Sequence, residues 1–178
     1  MKKTSLCVLL AGALTAIPLL AGAADAKAAG KTSGPKMATG GVDAKTQAAI
    51  ESRMKEFVAA WNKHDAKAMA AAWSESCDLV NPFGLKAHGR AEIEKLFEGE
   101  HAGVMKATTY TLNPGVLRKI PGGAVLGDWD NTITGLTAPD GKALPDFPHH
   151  VTMIYVKAGG DWRAVAVRAF QLLPPPGK

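Results

Sequence analysis

Residues 78–93, Asp-Leu-Val-Asn-Pro-Phe-Gly-Leu-Lys-Ala-His-Gly-Arg-Ala-Glu-Ile, decide the fold. A short apolar run ends at Pro82, which cannot continue a ladder of strand hydrogen bonds. A Pro-Phe-Gly turn follows, and then Gly89-Arg90 opens a periodic segment with Ile93, Leu96 and Phe97 at helical spacing. The stretch therefore predicts a strand over 79–81, a tight turn, and a helix over 90–98.

Upstream, Asp43 is placed to cap a helix whose apolar positions Ile50, Met54, Phe57, Val58 and Trp61 recur with the helical period, while Glu51, Lys55 and Lys63 take the other face. Asp65 caps a second helix through about Trp73, whose alanines permit close packing against the first. Downstream the pattern changes to alternation. Residues 107–112, 116–120, 124–134, 151–157 and 162–171 read as strands. Asn113-Pro114-Gly115 bends one long strand, while Pro121-Gly122-Gly123 and Ala158-Gly159-Gly160 make tight hairpins. Helices first and a meander afterwards predict an α+β fold, a strongly curved antiparallel sheet wrapped around the N-terminal helices. The domain is expected over 43–173, with 174–178 as a tail.

The N-terminal residues read as a targeting segment. Lys2 and Lys3 precede an apolar run over 6–20, and Ala21-Gly22-Ala23 supplies a small-residue cleavage site, so 1–23 is expected to be a signal peptide. The mature protein is then periplasmic or secreted, with no membrane attachment after cleavage. Residues 24–42, rich in Ala, Gly, Lys, Ser and Thr, offer too little apolar surface to offset ordering and are expected to form a disordered linker. Five of the 21 Lys and Arg lie before Asp43, so 16 basic residues face 15 acidic ones in the rest. A nearly neutral domain lacks the basic face of a nucleic-acid reader. With Cys7 inside the apolar run, Cys77 alone remains after cleavage, and no disulfide is available.

The order of elements, Val58-Ala-Ala-Trp-Asn-Lys-His-Asp65 at the first helix end, Asn81-Pro-Phe-Gly84 with Gly89-Arg-Ala-Glu-Ile93, and the closing Gly159-Gly-Asp-Trp-Arg163 together resemble the SnoaL-like proteins of the NTF2-like superfamily. Within it the chain is most similar to the DUF4440 and SgcJ/EcaC-type members. The resemblance implies a cone-shaped domain with an apolar pocket between sheet and helices, and a homodimer formed through the sheet. It also provides a chemical test. Steroid isomerisation on this scaffold needs a carboxylate base after the first strand and acidic hydrogen-bond donors in the pocket. Asn81 stands at the base position and cannot take a proton at neutral pH. Phe57 replaces the donor tyrosine, and the late strand itself carries no acid near His150 or Thr152, so that chemistry is excluded.

The candidate catalytic residues are Asn81, Asp128 and His150. Asp128 and Asp130 alternate with Gly127 and Trp129, so both carboxylates face one side and Val125, Trp129 and Ile133 the other. If the carboxylates are on the concave side, Asp128 with a histidine of the neighbouring strand makes a general base pair. If they are on the convex side, they are solvated or interface carboxylates. His88, His101, His149 and His150 are the titratable candidates, with His149 and His150 on opposite sheet faces. Phe57, Trp61, Leu79, Phe97, Tyr110 and His101 are the expected ligand-binding residues, their rings serving equally as core. A divalent metal held by His149 or His150 and these carboxylates would be a two-His-one-carboxylate site, but no ligand motif supports it, and no cofactor is expected. The expected function is binding of a small apolar molecule, with cofactor-free isomerisation, cyclisation or hydration on it, or else a non-catalytic binding or accessory module.

Overall fold

The computed structural model describes residues 40–173. The expected signal peptide, residues 24–39 of the expected linker and the 174–178 tail lie outside them. Residues 40–42 of that linker belong to the domain: Gly40 bridges to Arg118, and Val42 is buried.

Helix α1, Ala44–Trp61, begins where Asp43 Oδ1 accepts from Thr46 N at 2.9 Å, and it buries Ile50, Met54, Phe57, Ala60 and Trp61. The chain reverses at His64, held at φ 56°, and Asp65 caps α2, Ala66–Ala71, through Ala68 N. This helix is shorter than its alanine content suggests, because Trp73 starts strand β1, Trp73–Val80, with Trp73, Cys77 and Leu79 buried. Strand β2, Lys86–His88, was not foreseen; it returns antiparallel along β1 after the Asn81 turn. Helix α3, Gly89–Ala102, runs past the expected stop.

Five strands complete the sheet: β3, Thr109–Thr111; β4, Val116–Lys119; β5, Val125–Thr134; β6, Phe147–Ala158; and β7, Asp161–Gln171. Their order is β2-β1-β7-β6-β5-β3, with β4 also on β5. Strands β3 and β4 share one partner across a bend at Asn113, whose side chain donates to Asp130 O at 2.6 Å. Gly159 and Gly160, at φ 60° and 91°, make the two-residue β6–β7 turn that mirror-image hairpins require. The sheet departs from the expected wholly antiparallel arrangement at one place: β1 lies parallel to β7. The first strand is separated from the meander by α3 and so can be added beside the last strand in either direction.

Alternation on β5 and β6 is strict. Val125, Trp129, Asn131 and Ile133, with Phe147, His149, Val151, Met153 and Tyr155, are buried on the inner face. Trp129 lies across Gly127, where a Cβ would come within 2.2 Å of the indole. The helices cover this face, and Phe57 sits at the junction with ring centroids 5.0–6.0 Å from Trp73, Tyr110, Trp61 and Phe97. Truncating it removes the shared centre of four aromatic contacts. Phe57→Ala is expected to lower the unfolding free energy by about 3–5 kcal/mol in urea titration followed by circular dichroism.

Candidate functional site

The inner sheet face and the helices leave a cavity of about 50 Å³ between α1, α3 and strands β1, β5, β6 and β7. Phe57 and Trp61 from α1, Phe97 from α3, Leu79 from β1 and Tyr110 from β3 contribute to its walls. Apolar surface dominates, so each polar group there has raised electrostatic weight.

Two polar constellations stand out. At the turn after β1, Asn81 is buried and fully engaged. Its Oδ1 accepts from Leu85 N at 2.8 Å and Phe83 N at 3.1 Å, and its Nδ2 donates to Glu100 Oε1 at 2.6 Å. Burial pushes the Glu100 carboxyl above the ordinary glutamate value, and the bond from Asn81 pulls it partly back. The residue thus brings a carboxyl with a raised pKa to the cavity wall. On the sheet, Tyr110 OH lies 3.1 Å from His149 Nε2 and accepts from Asn131 Nδ2 at 2.9 Å. His149 Nδ1 is 3.4 Å from Phe147 O, which assigns the ring proton to Nδ1 and leaves Nε2 to accept from the phenol. Burial lowers the His149 pKa and raises that of Tyr110, so both are neutral at pH 7. Trp73, also on the wall, has Nε1 buried without a partner among the described residues.

The structure divides the residues expected from sequence. Asn81, Phe57, Trp61, Leu79, Phe97 and Tyr110 line the cavity. Asp128 and His150 do not. They lie on the outer sheet face, where His150 Nδ1 meets Asp130 Oδ1 at 2.6 Å, His150 Nε2 meets Asp128 Oδ1 at 3.3 Å, and Thr152 donates to Asp128 at 2.7 Å. The pairing forms, but the convex alternative holds, and the three candidate catalytic residues are not one site. Because His149 and His150 occupy opposite faces, a metal site using both cannot assemble. His101 is also outside the cavity: its ring packs edge-on against Trp61 at 4.5 Å, and its Nδ1 lies 2.8 Å from His64 Nδ1. Glu100 was missed, although Ile93, Phe97 and Glu100 follow the helical period and placed it on the core-facing side. Cys77 is fully buried and its thiol pKa is raised by burial, which makes it a core residue.

The family model of the SnoaL-like domain matches residues 54–165, well over half of the chain. The chain belongs to the SnoaL-like family. No curated protein matches this SnoaL-like chain. Solved structures share its fold. A Caulobacter vibrioides protein with a cystatin-like fold is 22% identical, with 73% of this chain and 92% of that one covered and a TM-score of 0.66. A Novosphingobium aromaticivorans protein provisionally named a scytalone dehydratase is 17% identical, covers 71% and 84%, and has a TM-score of 0.61. A Streptomyces avermitilis protein provisionally named a dehydratase of the NTF2-like family is 14% identical, covers 71% and 96%, and has a TM-score of 0.59.

Burial and the neighbouring His64 push the His101 pKa down to about 4 from 6.5. The unfolded chain therefore takes up a proton near pH 6.5 that the folded chain refuses until about pH 4, and stability falls as pH drops through that window. His149, lowered in the same direction, adds to the loss. Urea unfolding at pH 7 and pH 4.5 is expected to differ by on the order of 2 kcal/mol from His101, and His101→Leu is expected to make the dependence shallower.

Proposed function

We propose that this SnoaL-like protein is a cofactor-independent acid–base enzyme that binds a small, largely apolar carbonyl compound in its cavity and moves a proton on it. The observation that carries this is Glu100, a carboxyl on an apolar wall, oriented by Asn81 at 2.6 Å and pushed toward its protonated form by burial. Asn81 cannot exchange the proton itself, and it acts as a positioning residue for the group that can. When ionised, Glu100 takes a proton from the carbon beside the substrate carbonyl; once protonated, it returns one to the same molecule. The charge that develops on the substrate oxygen requires a donor, and Trp73, whose Nε1–H is on the lining without a partner among the described residues, is the neutral donor. Isomerisation, cyclisation and dehydration share this first step. The dehydratase names of two structural neighbours support an elimination or its reverse.

The setting of this chemistry is exported and dimeric. The N-terminal charge and apolar run support a periplasmic location, and the Asn81-Pro-Phe-Gly84 and Gly89-Arg90 elements support the DUF4440 subgroup. The partly buried Leu126, Ile154 and Val156 on the outer sheet face support association of two copies.

Proton abstraction can be read without knowing the product. In D₂O, small ketones such as cyclohexanone and 2-butanone are expected to gain deuterium at the α-carbon faster with the protein than without it, as measured by NMR. The rate should rise with pH through a midpoint above the ordinary glutamate value of 4.5. Glu100→Gln should lower it by about 100-fold or more while leaving ketone binding within a few-fold. Binding without exchange would identify a carrier instead.

A further inference from the structure

The cavity is small for the task assigned to it. At about 50 Å³ it admits a fragment of a few heavy atoms, whereas pockets for whole small-molecule ligands occupy about 300–1,000 Å³. Outside it lie two apolar clefts of about 350 and 400 Å³. One runs between the Asn81 turn and the loop that carries Leu136 and Leu144; the other follows α3 past Leu85, Leu96 and Gly99. Phe83 and Val104 border both clefts, so the two adjoin there and form one depression on this side of the domain. Glu100 lines both the inner cavity and the α3 cleft, which makes this residue the neck between them.

The rim of this depression is rigid and greasy. Phe83 and Leu85 are 50% and 51% exposed at the tip of a turn whose backbone is fixed by Asn81 at both amides. Gly84 holds φ 80°, and Gly84 N donates to Asn81 O at 3.0 Å. Such a turn cannot fold its two apolar side chains inward, and they remain available to a ligand. On the facing wall, Gly99 leaves open space, since a Cβ there would meet nothing within 4 Å.

We infer that the substrate is bipartite: a small carbonyl head in the inner cavity and an unbranched alkyl tail that passes Glu100 and lies in the outer cleft between the Phe83–Leu85 turn and α3. The inference rests on the proposed acid–base reading for the head and adds the tail. Cationic or bulky polar tails do not fit, because the α3 cleft offers them Phe83, Leu85, Leu96 and Val104, with Lys95 as its one cation. The tail supplies affinity, and the neck places the carbon beside the carbonyl next to the carboxyl.

A homologous series of 2-alkanones, from 2-butanone to 2-dodecanone, tests this by quenching of tryptophan fluorescence, with α-deuteration measured in parallel. For the wild type, Kd should fall about fourfold per added methylene, the increment expected for burying each CH₂. Gly99→Leu, which fills the cleft from an open helical position, should flatten the dependence beyond the short members and leave 2-butanone binding unchanged. Phe83→Ser, at an exposed site, should weaken binding of the long members about tenfold. Chain-length-independent Kd values, or a slope untouched by both variants, would overturn the inference even if α-deuteration is present. Steep chain-length dependence that Gly99→Leu abolishes, with no α-deuteration of any member, would leave the alkyl cleft standing and remove the acid–base reading.

Discussion

The side chain of Asn81 is the constraint on which the site depends. One amide fixes the turn after β1 through two backbone N–H groups and grips the Glu100 carboxyl on α3. A residue with only one function, acceptor or donor, could do half of this. Asparagine does both without carrying charge into an apolar wall, where an unpaired ion would be expensive. In the proposed chemistry the proton-exchanging group is on the helix rather than at the strand end, where the uncharged Asn81 stands.

Much of the architecture is legible in local pattern, because the domain is built from elements whose buried faces repeat with simple periods. Ile50, Met54, Phe57 and Trp61 mark the face of α1 that meets the sheet, and alternation across β5 and β6 separates inner from outer residues. Asn81 can be placed from the strand and the proline that ends it. Period alone does not say which side of a sheet is concave. Asp128 and His150 share one face, yet that face is the outer one, away from the helices, and only tertiary packing decides which face they cover. Strand direction escapes local reading for the same reason: β1 finds its parallel partner β7 some 90 residues later.

Glu100 was missed for a different cause. Gly99 reads as a helix stop, and ending the helix there discards the next turn. The helix continues because Gly103 ends it instead, with its N–H donating to Glu100 O, and because Phe97 and His101 are buried on either side of the exposed Gly99. Tertiary burial overrode a weak local signal. A carboxylate at the seventh position after Ile93 on a core-facing stripe was itself the sign that an acid is held inside.

The two histidines of β6 carry one more implication. His149 and His150 differ only in the parity of their position, yet one reaches the phenol of Tyr110 inside and the other the carboxylates of Asp128 and Asp130 outside. Parity is maintained by the two-glycine reversal and by a bulge between Ile154 and Tyr155 in the β6–β7 ladder. Gain or loss of a single residue between that bulge and His149 would exchange the imidazoles across the sheet, swapping a buried ring for one paired with carboxylates. Length variation among homologues should therefore be absent from this half-strand and collect in the loop 135–146, where added residues leave the alternation untouched.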